Sequence, residues 1–222
     1  MIRKLMTVVG LLFGSSLFCF SQKVFMLGDS HVFAKIYPEK TAEIISRAVP
    51  ESEFAYWGKN GAEFSTYNKN PDYLASLYEF RPDILIVHLG TNDSYGRHFN
   101  QEYFIDTMQV FYTAVKDSLP DCKMAFVTPF INKRREGRKK GRWLINDKTR
   151  QCSRAIEKFV EEHPDAYIID NNAEAGMNFL SNRTLIRPDN VHLTEAGYAV
   201  LAGQVGESLL KIDELWGENK KD

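Results

Sequence analysis

The chain has 222 residues, enough for one substantial core and short for two. Hydrophobic residues make up 44% and charged residues 26%, a soluble globular composition. A formal charge of −1 argues against nucleic acid or an anionic membrane as the main partner.

The first 22 residues, MIRKLMTVVGLLFGSSLFCFSQ, differ from the rest. Two cations, Arg3 and Lys4, precede an apolar run from Leu5 to Phe20 that is too short for a comfortable membrane span. Small residues Cys19 and Ser21 sit two apart, the spacing of a signal-peptide cleavage site, and predict cleavage before Gln22. Lipid attachment at Cys19 would want a small residue before it, and Phe18 stands there. The expectation is an export signal at 1–21, a single domain at 22–222, and a periplasmic or extracellular protein. Losing 1–21 removes two cations and no acid, which leaves 26 cations against 29 acids, a net of −3.

Strands are predicted at KVFML (23–27), EFAYW (53–57), DILIVHL (83–89), KMAFVT (123–128) and AYIID (166–170). Helical patterns fall near 39–48, 71–80, 101–118, 147–162 and 195–211. Near-continuous apolar strands alternating with helices predict an α/β fold, a parallel sheet covered on both faces. Right-handed crossovers favour the flavodoxin-like order 2-1-3-4-5. In that order the winding reverses at the first strand, so the loops leaving strands 1, 2 and 3 converge on one crevice. Those loops contain GDS (28–30), GKNGAEF (58–64) and GTNDS (90–94). Of the cysteines, Cys122 opens the fourth strand and Cys152 lies within the next helix, too far apart for a disulfide, which predicts two free thiols. No Cys/His cluster suggests a metal, and the first loop lacks the Ser/Thr/Gly-rich phosphate cradle of a flavin site.

Alone, GDS reads as a helix cap, a task that Asp and Ser perform well. The neighbouring loops point to chemistry instead. Acyl transfer passes through a tetrahedral oxyanion that needs donors already aimed at it. Gly61 can present a backbone N–H at close range, and Asn92 a side-chain amide from the adjacent loop. Ser30 would then be the nucleophile. Of five histidines, His31 is next to Ser30 in sequence, but consecutive side chains diverge, so it packs at the cleft edge or caps a helix. His88 falls inside a strand as a buried, satisfied imidazole, and His98 and His163 sit at loop or helix-end positions. His192 stands apart in PDNVHLTEAGY (188–198). It follows Asp189 by three residues, so a tight turn can set the carboxylate against the ring. Thr194 is the expected N-cap of the last helix, with Glu195 in its first turn.

The set GDS, Gly61, GTND and DNVH resembles the SGNH (GDSL-type) hydrolases, from about Lys23 to Leu210. The family's Ser, Gly, Asn and His match Ser30, Gly61, Asn92 and His192. The resemblance implies a three-layer αβα sandwich and ester hydrolysis through an acyl-Ser30 intermediate. It makes His192 base then acid, Asp189 its partner, and the Ser30 and Gly61 N–H groups with the Asn92 amide the oxyanion hole. It implies no cofactor. GDSH, GKNGAEFSTYN and LGTNDSYGRHF resemble bacterial carbohydrate and peptidoglycan O-acetylesterase branches more than long-chain lipases, which implies acetyl esters on a glycan as substrate. The alternatives are a lipase, lysophospholipase or thioesterase of the same family, or a glycan-binding module without catalysis. NKRREGRKKGR (132–142) adds seven cations and one acid. It follows the fourth strand, on the expected side of the crevice. Arg134, Arg135, Lys139 and Lys140 are candidates for holding an acidic polymer, against a plain solvated loop.

Overall fold

Strands covered on both faces have no solvent side on which to place polar residues, and the inner strands obey that constraint, with every residue at 24–28, 84–88 and 124–127 buried. The computed structural model describes residues 21–95, 99–130, 144–171, 183–189 and 191–216. Five strands, β1 (Lys23–Gly28), β2 (Glu53–Gly58), β3 (Ile84–His88), β4 (Lys123–Val127) and β5 (Ala166–Ile169), pair in parallel in the order β2-β1-β3-β4-β5. The expected order and α/β architecture are both present. Alternate residues feed two cores, as a period of two requires. Phe25, Leu27, Leu85, Val87, Met124 and Phe126 point to one. Val24, Met26, Ile84, Ile86, Ala125 and Val127 point to the other.

Helices in chain order are α1 (Ser30–Phe33), α2 (Ile36–Ala48), α3 (Phe64–Lys69), α4 (Ala75–Phe80), α5 (Thr91–Tyr95), α6 (Gln101–Ser118), α7 (Leu144–Glu161), α8 (Glu195–Leu210) and α9 (Asp213–Trp216). The first core is closed by α3, α4, α6 and α7, and the second by α1, α2, α8 and α9. In α6 the buried positions Phe104, Met108, Phe111 and Val115 recur every three or four residues, a single apolar stripe. Thr194 caps α8 as expected, its hydroxyl accepting from the Gly197 N–H at 3.2 Å.

Three local features differ from the sequence reading. The expected helix at 71–80 is a 3₁₀ turn, Pro71–Leu74, followed by α4. Asn70, as the residue before a proline, is held out of the helical region (φ −134°, ψ 77°), so α3 stops there. The helix expected from 39 begins at Ile36, because Pro38 is tolerated within a first turn. The helix start that GDS implies is the four-residue α1, and α3, α5 and α9 lie outside the expected elements, each too brief to carry a periodic signal. Cys122 and Cys152 are both free and buried, and burial pushes the Cys122 thiol up to about 12 and the Cys152 thiol well above its usual value.

One close approach fixes the site's frame. A Cβ on Gly58 would lie 2.3 Å from the Phe33 backbone nitrogen, so the backbone of α1 rests directly on the end of β2. Gly58→Ala must push α1 outward and Ser30 with it. It should cost about 1–3 kcal/mol of stability, as overpacking does, and lower turnover in the same protein. Urea unfolding alongside ester hydrolysis checks this; a wild-type midpoint would mean that α1 is free to retreat.

Candidate active site

The strand ends decide which residues can meet. Gly28 is level with Gly58 on one side and with His88 on the other, so the chains leaving β1, β2 and β3 start from one line. Asp29 follows at once and is the N-cap of α1, its carboxylate Oδ1 accepting the His31 N–H at 2.9 Å. The capping reading of GDS is therefore correct for Asp29. Ser30, first in the helix, is left with its hydroxyl turned to the crevice. Its own N–H is one of those that a helix start leaves without an intrahelical acceptor.

His192 reaches Ser30 across 162 positions of sequence, its Nε2 2.9 Å from the Ser30 Oγ. Its Nδ1 is 2.8 Å from the Asp189 Oδ2. The other carboxylate oxygen of Asp189 accepts the backbone N–H groups of Val191 and His192, each at 2.9 Å. One side chain thus shapes the turn and orients the ring. With Asp189 accepting from Nδ1–H, the neutral imidazole turns the lone pair of Nε2 toward the serine hydroxyl. Partial burial raises the Asp189 carboxyl. The His192 ring hydrogen bond, the two N–H groups and the histidine's charge outweigh it and bring the carboxyl down to about 2. Asp189 therefore stays ionised wherever the histidine can act as a base.

The turn itself is clamped. The Arg187 N–H donates to the His192 carbonyl at 2.8 Å, and the Thr194 N–H donates to the Leu185 carbonyl at 2.9 Å. A bridge pairs Ile186 with Leu193. Nothing in the sequence pattern signalled this small antiparallel clamp.

Gly61 has φ +72°, a left-handed conformation that suits glycine, and the turn uses the Ala62 N–H on the Lys59 carbonyl at 3.1 Å. Asn92 lies in the first turn of α5 rather than in a loop. Its amide nitrogen donates to the Ala62 carbonyl at 3.0 Å and lies 3.4 Å from the Asp29 Oδ2. Asp93 ties the same two segments together, Oδ1 accepting the Phe64 N–H at 3.3 Å. Its Oδ2 is sealed from solvent with no protein partner, although part of the residue reaches the surface.

His31 is fully buried rather than at the cleft edge, with ring centroids 5.7 Å from His192, 5.8 Å from His88 and 5.0 Å from Phe130. Burial, then the charges of His88 and His192, hold it well below the usual imidazole range, so it remains a neutral wall behind His192. His88 is buried as expected but only half satisfied. Its Nδ1 pairs with the Tyr37 hydroxyl at 3.1 Å, its Nε2 has no protein partner, and burial lowers it to about 3. His163 stacks on Phe159 at the end of α7. His98 and the basic residues Arg134, Arg135, Lys139 and Lys140 lie outside the described residues. Among the described residues no group of His, Cys, Asp or Glu is spaced to hold a metal ion, and no helix is long and apolar enough to cross a membrane.

Comparison with known proteins shows the family and matches the fold. The GDSL-like Lipase/Acylhydrolase family model matches residues 20–200. A mutant of an acetyl-xylooligosaccharide esterase from Geobacillus stearothermophilus superimposes with a TM-score of 0.68 at 16% identity, over 85% of this chain and 94% of that one. An acetyl esterase mutant with an acetate ion gives 0.66 at 20% identity, over 87% and 98%. A carbohydrate esterase family 3 protein from Talaromyces cellulolyticus gives 0.65 at 20% identity, also over 87% and 98%. At these identities the likeness is one of fold. No curated protein sequence matches the chain.

Two carboxyls beside the crevice are held toward neutrality. Burial raises Asp29 to about 7 against the pull of the His31 N–H, and burial with the charge of Glu63 raises Asp93 to about 7. Between the unfolded value near 4 and the folded value near 7, the native state keeps protons that the unfolded chain has released. Their contribution to stability is complete below that window and is lost as pH rises through it. Asp93→Asn removes one of the two groups, so the decline in thermal midpoint from pH 4 to 7 should be shallower than in wild type. Parallel slopes would show that Asp93 does not titrate there.

Proposed function

The chain belongs to the GDSL-like lipase/acylhydrolase family and is a carboxylic ester hydrolase, and from that premise we propose that it removes acetyl groups from a glycan outside the cytoplasm, with Ser30 as nucleophile. The observation that carries the assignment of roles is the hydrogen-bonded line from the Ser30 Oγ through His192 to Asp189, at 2.9 and 2.8 Å. In this reading His192 takes the hydroxyl proton as the Ser30 Oγ bonds to the acyl carbon, and the carbonyl electrons move onto oxygen. Asp189 stabilises the imidazolium so formed. The intermediate collapses, the glycan hydroxyl leaves with the proton from Nε2, and the acyl group stays on Ser30. Water then repeats the sequence, giving up a proton to His192 and releasing the acid. The Ser30 and Gly61 N–H groups and the Asn92 amide receive the oxyanion at both stages.

A small acyl group is supported by the short connections around Ser30. One residue separates β1 from α1, five separate β2 from α3, and two separate β3 from α5, which gives little length for an acyl tunnel. The acetyl and glycan assignment is further supported by the structural neighbours, which include an acetyl-xylooligosaccharide esterase and an acetyl xylan esterase. Export rests on the signal-like residues 1–21, of which 1–20 lie outside the described residues. Because β1 begins at Lys23, cleavage before Gln22 would leave the sheet whole.

Ser30→Ala should abolish labelling by a fluorophosphonate, and Asn92→Ala should lower kcat by roughly 10²–10³, about 3 kcal/mol, at nearly constant KM. Full labelling of the alanine variant, or a pure KM effect at Asn92, would overturn those roles. Acetate release from acetylated xylo- and peptidoglycan fragments, set beside nitrophenyl esters of rising chain length, tests the substrate. Activity that climbs with chain length and spares the glycans would make the enzyme a lipase or thioesterase.

A further inference from the structure

An asparagine that donates to an oxyanion has a weakness. Its amide has a donor end and an acceptor end of nearly equal shape, and a half-turn about the last side-chain bond would offer oxygen to a negative charge. Something must fix which end faces the crevice. Two acceptors surround the Asn92 nitrogen, the Ala62 carbonyl at 3.0 Å and the Asp29 Oδ2 at 3.4 Å. The carbonyl belongs to the loop that carries Gly61, and the carboxyl to the residue before Ser30. We propose that Asp29 is a positioning residue for the oxyanion hole: its Oδ1 fixes the first turn of the helix that begins at Ser30, and its Oδ2 keeps the Asn92 amide turned nitrogen-first toward the reacting carbonyl.

The lengths of the two contacts give the amide different uses for its two hydrogens. The shorter bond to Ala62 ties the group to the Gly61 loop, while the Asp29 Oδ2 is the second acceptor against which a reversed amide would set its oxygen. The longer one to Asp29 is the contact that gives way when a charged oxyanion competes for that hydrogen. Asp29 is fully buried, and among the described residues no ion pair joins it. A carboxyl kept in such surroundings is costly, and groups of this kind cluster where chemistry needs them. A simple cap would not require it, since Ser or Asn caps a helix as well.

The inference rests on the esterase reading, and a double-mutant cycle on nitrophenyl acetate separates the two. Asp29→Asn keeps an oxygen for the His31 N–H but sets an NH₂ group against the Asn92 amide. It should lower kcat roughly 10- to 100-fold with KM unchanged. Asn92→Ala, costly in the wild-type background, should cost tenfold or less in the Asp29→Asn background, because the donor is already misdirected. Asp29→Ser, which caps but cannot reach Asn92, should reproduce the kcat loss at a near-native thermal midpoint, and it decides the matter if the Asn variant does not fold. Additive losses in the cycle, or a wild-type kcat in Asp29→Ser, would overturn the proposal. Hydrolysis that survives Ser30→Ala would instead bring down the esterase assignment of roles.

Discussion

Parallel strands bring their carboxyl ends to one edge, and a sheet whose winding reverses opens a gap between two loops at that edge. Here the reversal falls at β1. The chain crosses from β1 to β2 through α1 and α2 on one face, and from β2 to β3 through α3 and α4 on the other. Gly28, Gly58 and His88 stand in register across the three strands, so Ser30, Gly61 and Asn92 emerge within a few residues of one line. Ordinary hydrogen-bond pairing of the backbone therefore sets the geometry of the crevice before any side chain is chosen. Only the turn that carries Asp189 and His192 must come from far along the chain. It is brought there by α8, which packs on α2 closely enough for a Cβ on Gly206 to lie 3.0 Å from Ile44.

The crevice floor is unusually polar for a core. Asp29, His31, His88 and Thr91 are all buried at or beside the strand ends. The nitrogen Nε2 of both His31 and His88 lacks a protein partner. Neutral imidazoles make this tolerable, since burial holds both rings in the uncharged form. The result is an uncharged wall behind His192, whose own side chain is 35% exposed. Such a setting strengthens the Asp189 interaction relative to the same pair in water.

Much of this was legible in the sequence because the signals were local or periodic. Strands buried on both faces are visible as apolar runs, and the crossover rule then orders them. The pairing of Asp189 with His192 is legible because three residues of separation suffice for one turn to join them. What stayed hidden depends on contacts between distant segments or on elements too short to repeat. Sequence adjacency showed that His31 was no partner for Ser30, but not that it is a buried neighbour of His192. The Asp29 carboxylate looked like a cap and is one. Its approach to Asn92 spans 63 positions and leaves no mark on either residue. The start of a helical segment at Pro71 was legible in Asn70-Pro71, whereas α3 before it, six residues long, is too brief to show a period.

The two buried thiols carry a consequence for handling in an oxidising environment. Thiol–disulfide exchange needs a thiolate and access to it, and the native fold denies both: Cys122 and Cys152 are enclosed, and their protons are held more tightly than in a free cysteine. The folded protein is thus inert toward mixed-disulfide partners without needing a crosslink of its own. The unfolded chain has no such protection. Cys122 is covered once the sheet accepts β4, and Cys152 once α7 docks over it, so the period of vulnerability ends with those two steps. Resistance to mispairing is then a matter of folding speed rather than of bond strength.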